Sequence, residues 1–414
     1  MPEDPHATTS PAAPGDGPLS GLLVVDLSRA LAGPYATLLL GDLGARVVKI
    51  EHPNGDETRA WGPPFVGPEG EEQSTYFLSA NRNKESLVLD LKDEGDRAVL
   101  ADLVGRADVL VENFRSGVLD RLGFSVERLE ELNPRLVVLS ITGFGADGPD
   151  SARPGYDQIL QGEGGFMSLT GPDAASPTRA GVPIADILAG MFGAHGVLAA
   201  LYERERSGRG QIVRTSLLAA MIGIHTFQGT RFLVGGEVPA PGGNHHPTLS
   251  PYGAFPVRDG MLVIAVGNDQ IWARFAPLVG VDPQDPQYAT NRARVQHREQ
   301  LRQVLEPALL ARDRADWLAD FSAQGIPAGE IRDLAEVYAS PQVRQQGLVQ
   351  TVQHSSLGAI DLPGNPIWLS RTSRAAHAAP PLLGEHSERL RSWLTPATTG
   401  PDPADIPRDT QETT

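Results

Sequence analysis

The chain has 414 residues, with 35 Lys plus Arg against 51 Asp plus Glu and no cysteine. That length exceeds a typical compact domain, so a body of two or more lobes is expected. A net charge of −16 without a long basic run argues against nucleic acid and membrane surfaces as partners, and the lack of cysteine removes disulfides, thiolate nucleophiles and zinc–cysteine sites.

Residues 1–18, rich in Pro, Ala, Thr and Gly, read as a disordered extension, and residues 396–414 read the same way. No basic-then-apolar signal stands at the N-terminus and no apolar run is read as a membrane span, so a cytoplasmic protein is the default. Strand-like apolar runs follow at Leu22–Leu27, Arg46–Glu51, Ser86–Leu91, Asp108–Asn113 and Leu136–Ile141. Helical patterns separate them at Tyr35–Leu43, Arg97–Gly105 and Leu119–Leu132. β-Branched runs alternating with helices predict an α/β fold with a parallel sheet covered on both faces. In such sheets ligands bind beyond the carboxyl ends of the strands, which directs attention to Ser28–Arg29, His52, Asn113–Arg115 and Thr142–Gly145.

From Ile184 to Gly236 the pattern is helical, interrupted by S207-G-R-G210. Near Pro239 the texture changes, with a strand at Leu262–Val266 and helices at Trp272–Val279, Glu299–Ala311 and Ala315–Gln324. Late segments at Gly358–Pro363 and Glu385–Leu394 return to the first texture. The expected division is therefore a large domain from 19–225 and 336–395, and a smaller α+β domain with its linkers at 226–335.

Several stretches bear on chemistry. S28-R-A-L-A-G-P34 after the first strand is not G-x-G-x-x-G, which argues against a dinucleotide site. His245 and His246 are adjacent and lack a nearby carboxylate, so no metal is expected there. The stretch Gly242, Gly243, Asn244, His245, His246 reads either as an ordinary surface loop or as a mobile lid that shields a reactive intermediate. Arg82, Lys84, Asn113 and Arg115 read either as solvated turn residues or as donors for a phosphorylated ligand. Asp186 is a lone carboxylate in the apolar run G181-V-P-I-A-D-I-L-A-G190. It reads as a helix N-cap, with a chemical role left open.

In order along the chain, V24-V-D-L-S-R-A-L-A-G-P34, L39-L-G-D-L-G-A-R-V-V-K-I-E51, N81-R-N-K-E-S86, V111-E-N-F-R-S-G117, S140-I-T-G-F-G145, G155-Y-D157, A185-D-I-L-A-G190, S207-G-R-G-Q211, the G-N-H-H-P loop with P251-Y-G-A-F255, G325-I-P-A-G329 and P381-L-L-G-E-H386 resemble the family III CoA-transferases. The resemblance implies a Rossmann-like large domain, a small domain in mid-chain, and two chains interlocked as a homodimer. It implies an acyl-CoA donor, a carboxylic acid acceptor, a coenzyme A thioester as substrate and no tightly bound cofactor. Asp186 stands at the position of the family's nucleophile, which forms mixed-anhydride and aspartyl-CoA intermediates. A carboxylate suits an exchange between carboxylates, and a helix start is expected to hold it ionised. CoA contacts are implied at His52, Arg82, Lys84, Asn113, Arg115 and Tyr156. Leu31 replaces a Gln that some members use, and His52 an Arg. The sister activity on this fold, α-methylacyl-CoA racemisation, uses a His in G-H-D where this chain has Gly155-Tyr156-Asp157; Tyr is a poor base at neutral pH. A silent CoA-binding protein is the third reading, opposed by the presence of Asp186.

Overall fold

The computed structural model describes residues 17–372 and 377–395, so both expected tails lie outside the described residues apart from Gly17 and Pro18. Contacts divide the chain into two units. One comprises the residues up to Gly165, Gly181–Gly229 and those from Arg344 onward; the other comprises Phe166–Ala180 and Thr230–Val343. The sequence reading left 166–180 in the large domain. They belong with the second unit because Thr178 N donates to Thr170 O at 2.8 Å and Gly243 N to Gly171 O at 3.0 Å, folding the segment on itself and tying it to residue 243.

The first unit is built on β1 (Leu23–Asp26), β2 (Arg46–Glu51), β3 (Lys84–Val88), β4 (Val109–Glu112), β5 (Val137–Thr142) and β6 (Ile212–Ser216). All pairings are parallel, and the order is β3-β2-β1-β4-β5-β6. This is the strand order of a doubly wound Rossmann sheet, with its switch point between β1 and β4. β6 was missed: the sequence reading ran helix through it. Only Ser216 of its five residues is buried and Arg214 is exposed, so it lacks the continuous buried apolar run that marks the central strands.

One face of the sheet carries Val25, Val48, Leu87 and Leu110 against Leu100, Leu103 and Val104 of a helix at Glu94–Arg106, and against Leu390 and Leu394 of the last helix, Ser387–Leu394. That last segment also protects the open edge of β3. His386 Nδ1 accepts from Ser86 N at 3.1 Å and Ser387 Oγ from Val88 N at 3.0 Å, so backbone donors that would invite another strand are satisfied.

The opposite face is covered by α1 (Ala32–Asp42) and α5 (Ile184–Ser207), with α2 (Thr75–Ala80), α3 (Glu94–Arg106, above) and α4 (Asp157–Glu163) between them in the chain. α5 has 24 residues and is apolar enough to cross a bilayer by length and composition, a run that the sequence reading did not recognise as such. Its buried face, Ala185, Ala189, Gly190, Gly193, Ala194 and Val197, marks it as a core helix. Small residues let it lie directly on its neighbours. A Cβ at Gly190 would sit 2.6 Å from Ala32 O and one at Gly193 would sit 2.9 Å from Leu139 Cδ2.

The second unit has an antiparallel sheet of β7 (Tyr252–Val257), β8 (Gly260–Ala265) and β9 (Ala328–Glu330), in the order β9-β8-β7. Its core gathers Phe255, Trp272, Phe275, Leu305, Trp317 and Phe321. It is thus a small α+β unit with a hydrophobic core of its own.

Candidate active site

A cleft of about 630 Å³ opens in the first unit at the carboxyl ends of β1, β4 and β5. Arg29, Ala30 and Ala32 line it after β1, Asn113–Ser116 after β4, and Thr142–Gly143 at the end of β5. This is the switch point at which a doubly wound sheet leaves a crevice. Two backbones cross there. A Cβ on either Gly143 or Gly155 would lie 2.8 Å from the other's Cα, so only glycines allow the approach that brings Tyr156, Asp157 and α4 to the rim.

Asp186 lines this cleft. It is the third residue of α5 and not its N-cap; Pro183 holds that position and offers no side-chain bond. The capping acceptor comes from another helix. Asp157 Oδ1 accepts from Ala185 N at 2.8 Å and from Asp186 N at 3.3 Å, while its Oδ2 accepts from Gln161 Nε2 at 2.6 Å. Asp157 therefore uses the N–H groups that a helix N-terminus presents, and the Asp186 carboxylate faces the cleft without them. The consequence is electrostatic. Burial, and secondarily the negative charge of Asp157, push the Asp186 carboxyl up to about 7. The expectation that the helix start holds Asp186 ionised is thus corrected: desolvation and a like charge outweigh the helix dipole.

Tyr76 and Trp61 line the same cleft, and the sequence reading missed both. Ser74 Oγ caps α2 by accepting from Tyr76 N at 3.1 Å, and it donates to Trp61 O at 2.5 Å. The two rings meet edge to face at 5.0 Å. Burial, then Asp186, Asp157 and Asp56, raise the Tyr76 hydroxyl to about 12, which keeps it protonated and able to donate at neutral pH.

The loop after β1 is held from below by buried charges. Lys49 Nζ donates to Ser28 O at 2.9 Å and pairs with Asp56 at 2.9 Å. Asp56 Oδ1 accepts from Ala30 N at 3.4 Å. From the side, Asn113 Oδ1 accepts from Arg29 N at 2.9 Å and its Nδ2 donates to Arg29 O at 2.7 Å. These bonds hold Ala30 at φ 62°, a left-handed conformation that a non-glycine residue adopts at a cost.

Of the residues expected to contact CoA, Asn113, Arg115 and Tyr156 line the cleft. Arg82 and Lys84 do not, and the structure gives them other partners. Arg82 is buried, its Nε 2.8 Å from Asp42 Oδ1 and its Nη1 2.7 Å from Pro363 O. Lys84 Nζ is buried among Asp26 Oδ2 at 3.0 Å, Pro34 O at 2.9 Å and Asn81 Oδ1 at 2.9 Å. Both are structural cations whose removal from these carboxylates would strand a buried charge. His52 is exposed and outside the lining, with its Nδ1 accepting from Asn54 N at 3.1 Å. Leu31 is buried and also outside the lining.

Gly242 to His246 lie in the second unit. The segment is laid against β7 and not free: His246 N donates to Tyr252 O at 2.8 Å, Ala254 N donates to Asn244 O at 3.2 Å, and His245 forms a bridge with Gly253. Among the described residues no group of three or more His, Cys, Asp or Glu side chains could hold a metal ion.

The profile of CoA-transferase family III matches residues 19–387. The chain is 41% identical over 382 residues to the succinate–glutarate CoA-transferase of Agrobacterium fabrum, covering 91% of this chain and 96% of that one. It is 40% identical over 389 residues to the acetyl-CoA:oxalate CoA-transferase of Acetobacter aceti, covering 92% and 97%. Among solved structures, a CAIB/BAIF family protein from Brucella suis superimposes with a TM-score of 0.83 at 40% identity, over 92% of this chain and 100% of that chain. The strand order, the cleft at its switch point and these likenesses agree: the chain belongs to the family III CoA-transferases and is a CoA-transferase enzyme.

Proposed function

We propose that Asp186 is the nucleophile that carries coenzyme A between carboxylic acids. One observation supports this above the others. Asp186 is a carboxylate with no hydrogen-bond donor among the described residues, in a cleft at the sheet's switch point, raised to about 7 by burial and Asp157. Such a group is more basic, and so more nucleophilic, than a carboxylate in water. Its oxygen attacks the thioester carbonyl and expels the CoA thiolate, leaving a mixed anhydride. The thiolate then attacks the Asp186 carbonyl, releases the donor acid and forms an aspartyl-CoA thioester. The acceptor carboxylate repeats both steps in reverse, so acyl-CoA leaves and the Asp186 carboxylate returns. Each tetrahedral intermediate places negative charge on a carbonyl oxygen, for which the Tyr76 hydroxyl, in the same cleft and held protonated, is a candidate donor. Asn113, Arg115 and Tyr156 are assigned to CoA.

The acids are taken to be dicarboxylates. The relatives' names specify succinate, glutarate and oxalate, and guanidinium groups line the cleft of a protein that is otherwise acidic. We further infer a homodimer, interlocked as in the family resemblance. The face of α5 away from the sheet carries Met191, Leu198 and Tyr202, 48%, 37% and 74% exposed, and large apolar side chains exposed on the face opposite the core call for a cover.

Intact-mass spectrometry tests the mechanism. Incubated with succinyl-CoA, the purified protein should gain a CoA or acyl adduct that maps to Asp186, and hydroxylamine should convert it to a hydroxamate. Asp186→Ala should show no adduct and lose at least about 10³-fold in turnover. An Asp186→Ala protein that folds and turns over normally would overturn the assignment. Solvent deuterium entering the α-carbon of a branched acyl-CoA, without any adduct, would transfer the case to racemisation.

A further inference from the structure

We propose that Arg29 is the specificity-determining residue for dicarboxylates, its guanidinium holding the distal carboxylate of the acid while the reacting carboxylate meets Asp186; this rests on the CoA-transfer reading above. Three guanidinium groups line the cleft, from Arg29, Arg115 and Arg153. Arg153 is already committed, with Nη1 2.9 Å from Glu163 Oε2, a second contact to Asp150 at 3.3 Å, and its plane 4.2 Å from the Phe144 ring centre. Arg29 has no carboxylate partner among the described residues, and its guanidinium lies 5.3 Å from the Phe114 ring centre. An aromatic face supports a guanidinium from one side and leaves its edge N–H groups free for a carboxylate, which they can grip in two parallel bonds.

Placement separates Arg29 from Arg115. The backbone of Arg29 is clamped on both its N–H and C=O by Asn113, and the next residue is held in its left-handed conformation over Asp56. A site that reads a substrate group needs a fixed base of this kind. The loop also lies beside the nucleophile. Ala32 O would be 2.6 Å from a Cβ on Gly190, and Asp186 lies one turn before Gly190 on the same face of α5, about 6 Å along its axis. Arg115 sits on the exposed loop that follows β4, where a CoA phosphate is the fitting partner.

The test compares Arg29→Met, Arg29→Lys and the unaltered full-length protein, with succinyl-CoA at a fixed saturating concentration as donor. The acceptors are glutarate and pentanoate, which have the same chain length but differ in the distal carboxylate. Inhibition by free CoA is measured in parallel. Unaltered protein should favour glutarate by about 100-fold or more in kcat/KM. Arg29→Met should lose about 100-fold on glutarate, stay within about twofold on pentanoate and keep its inhibition constant for CoA. Arg29→Lys should recover part of the loss. Equal losses on both acids with weakened CoA inhibition would overturn the proposal and make Arg29 a phosphate contact; unchanged glutarate kinetics would overturn it as well. Unaltered protein that transfers CoA to neither acid would instead bring down the CoA-transfer reading on which the proposal stands. Arg29 is exposed and makes no ion pair among the described residues, so the variants should fold, which thermal melting checks.

Discussion

Two carboxylates from different helices meet at the start of α5 and divide the labour between them. Asp157 takes the backbone donors at the N-terminus of α5, and Asp186 is left desolvated beside it. The pH dependence follows directly. Below about 7 the Asp186 carboxyl is protonated and cannot attack a thioester, so kcat/KM should rise with pH through an inflection near 7 and then level off. Asp157→Asn keeps an oxygen that can accept from Ala185 N but removes the like charge. Its inflection should therefore move to lower pH, while staying above the ordinary carboxylate range because burial remains. A pH–rate profile of the two proteins decides this. An inflection near 4 in the unaltered protein would refute the account of how Asp186 is activated.

At the scale of the element, the position of Asp186 depends on how closely α5 lies on α1. Ala32 O, Tyr35 Cδ1 and Ala36 N would be 2.6, 3.2 and 3.3 Å from a Cβ on Gly190. Two of those atoms are backbone, so they cannot rotate away. Gly190→Ala must push the helices apart, and Asp186 lies one turn from the contact. The expected result is a protein that still folds, less stable by about 1–3 kcal/mol, with kcat reduced about 10- to 100-fold by misplacement of Asp186 if it is the nucleophile proposed above. Chemical denaturation and steady-state kinetics on the same preparation measure both. Full kcat alongside a measurable loss of stability would show that the helix contact does not position the carboxylate.

For the molecule as a whole, what the sequence discloses depends on what burial does to residue choice. Central strands of a parallel sheet are buried on both faces, so β2 could be read to the residue and β1, β4 and β5 to within a residue or so. β6 lies at the edge with polar residues among its five, and reads as nothing in particular. Asp186, the proposed nucleophile, was visible as a charge in an apolar run. Its neighbour Asp157, 29 residues away, was not visible as the cap of α5, because capping across helices leaves no local pattern. Arg82 and Lys84 illustrate the converse error: a cation near a strand looks solvated or ligand-bound until the fold supplies a buried carboxylate. The outer face of α5 raises the remaining question of assembly. Met191, Leu198 and Tyr202 lie in one stripe, with Ile222, on the helix packed against α5, 54% exposed, and apolar surface of that extent is rarely left in water. If a second copy covers it, light scattering on a sizing column should give twice the chain mass at micromolar concentration. Leu198→Glu with Tyr202→Glu places two charges in that interface, where they cannot be solvated, and should yield monomers or insoluble protein. A monomeric unaltered protein would mean that this stripe is covered by something other than a second copy.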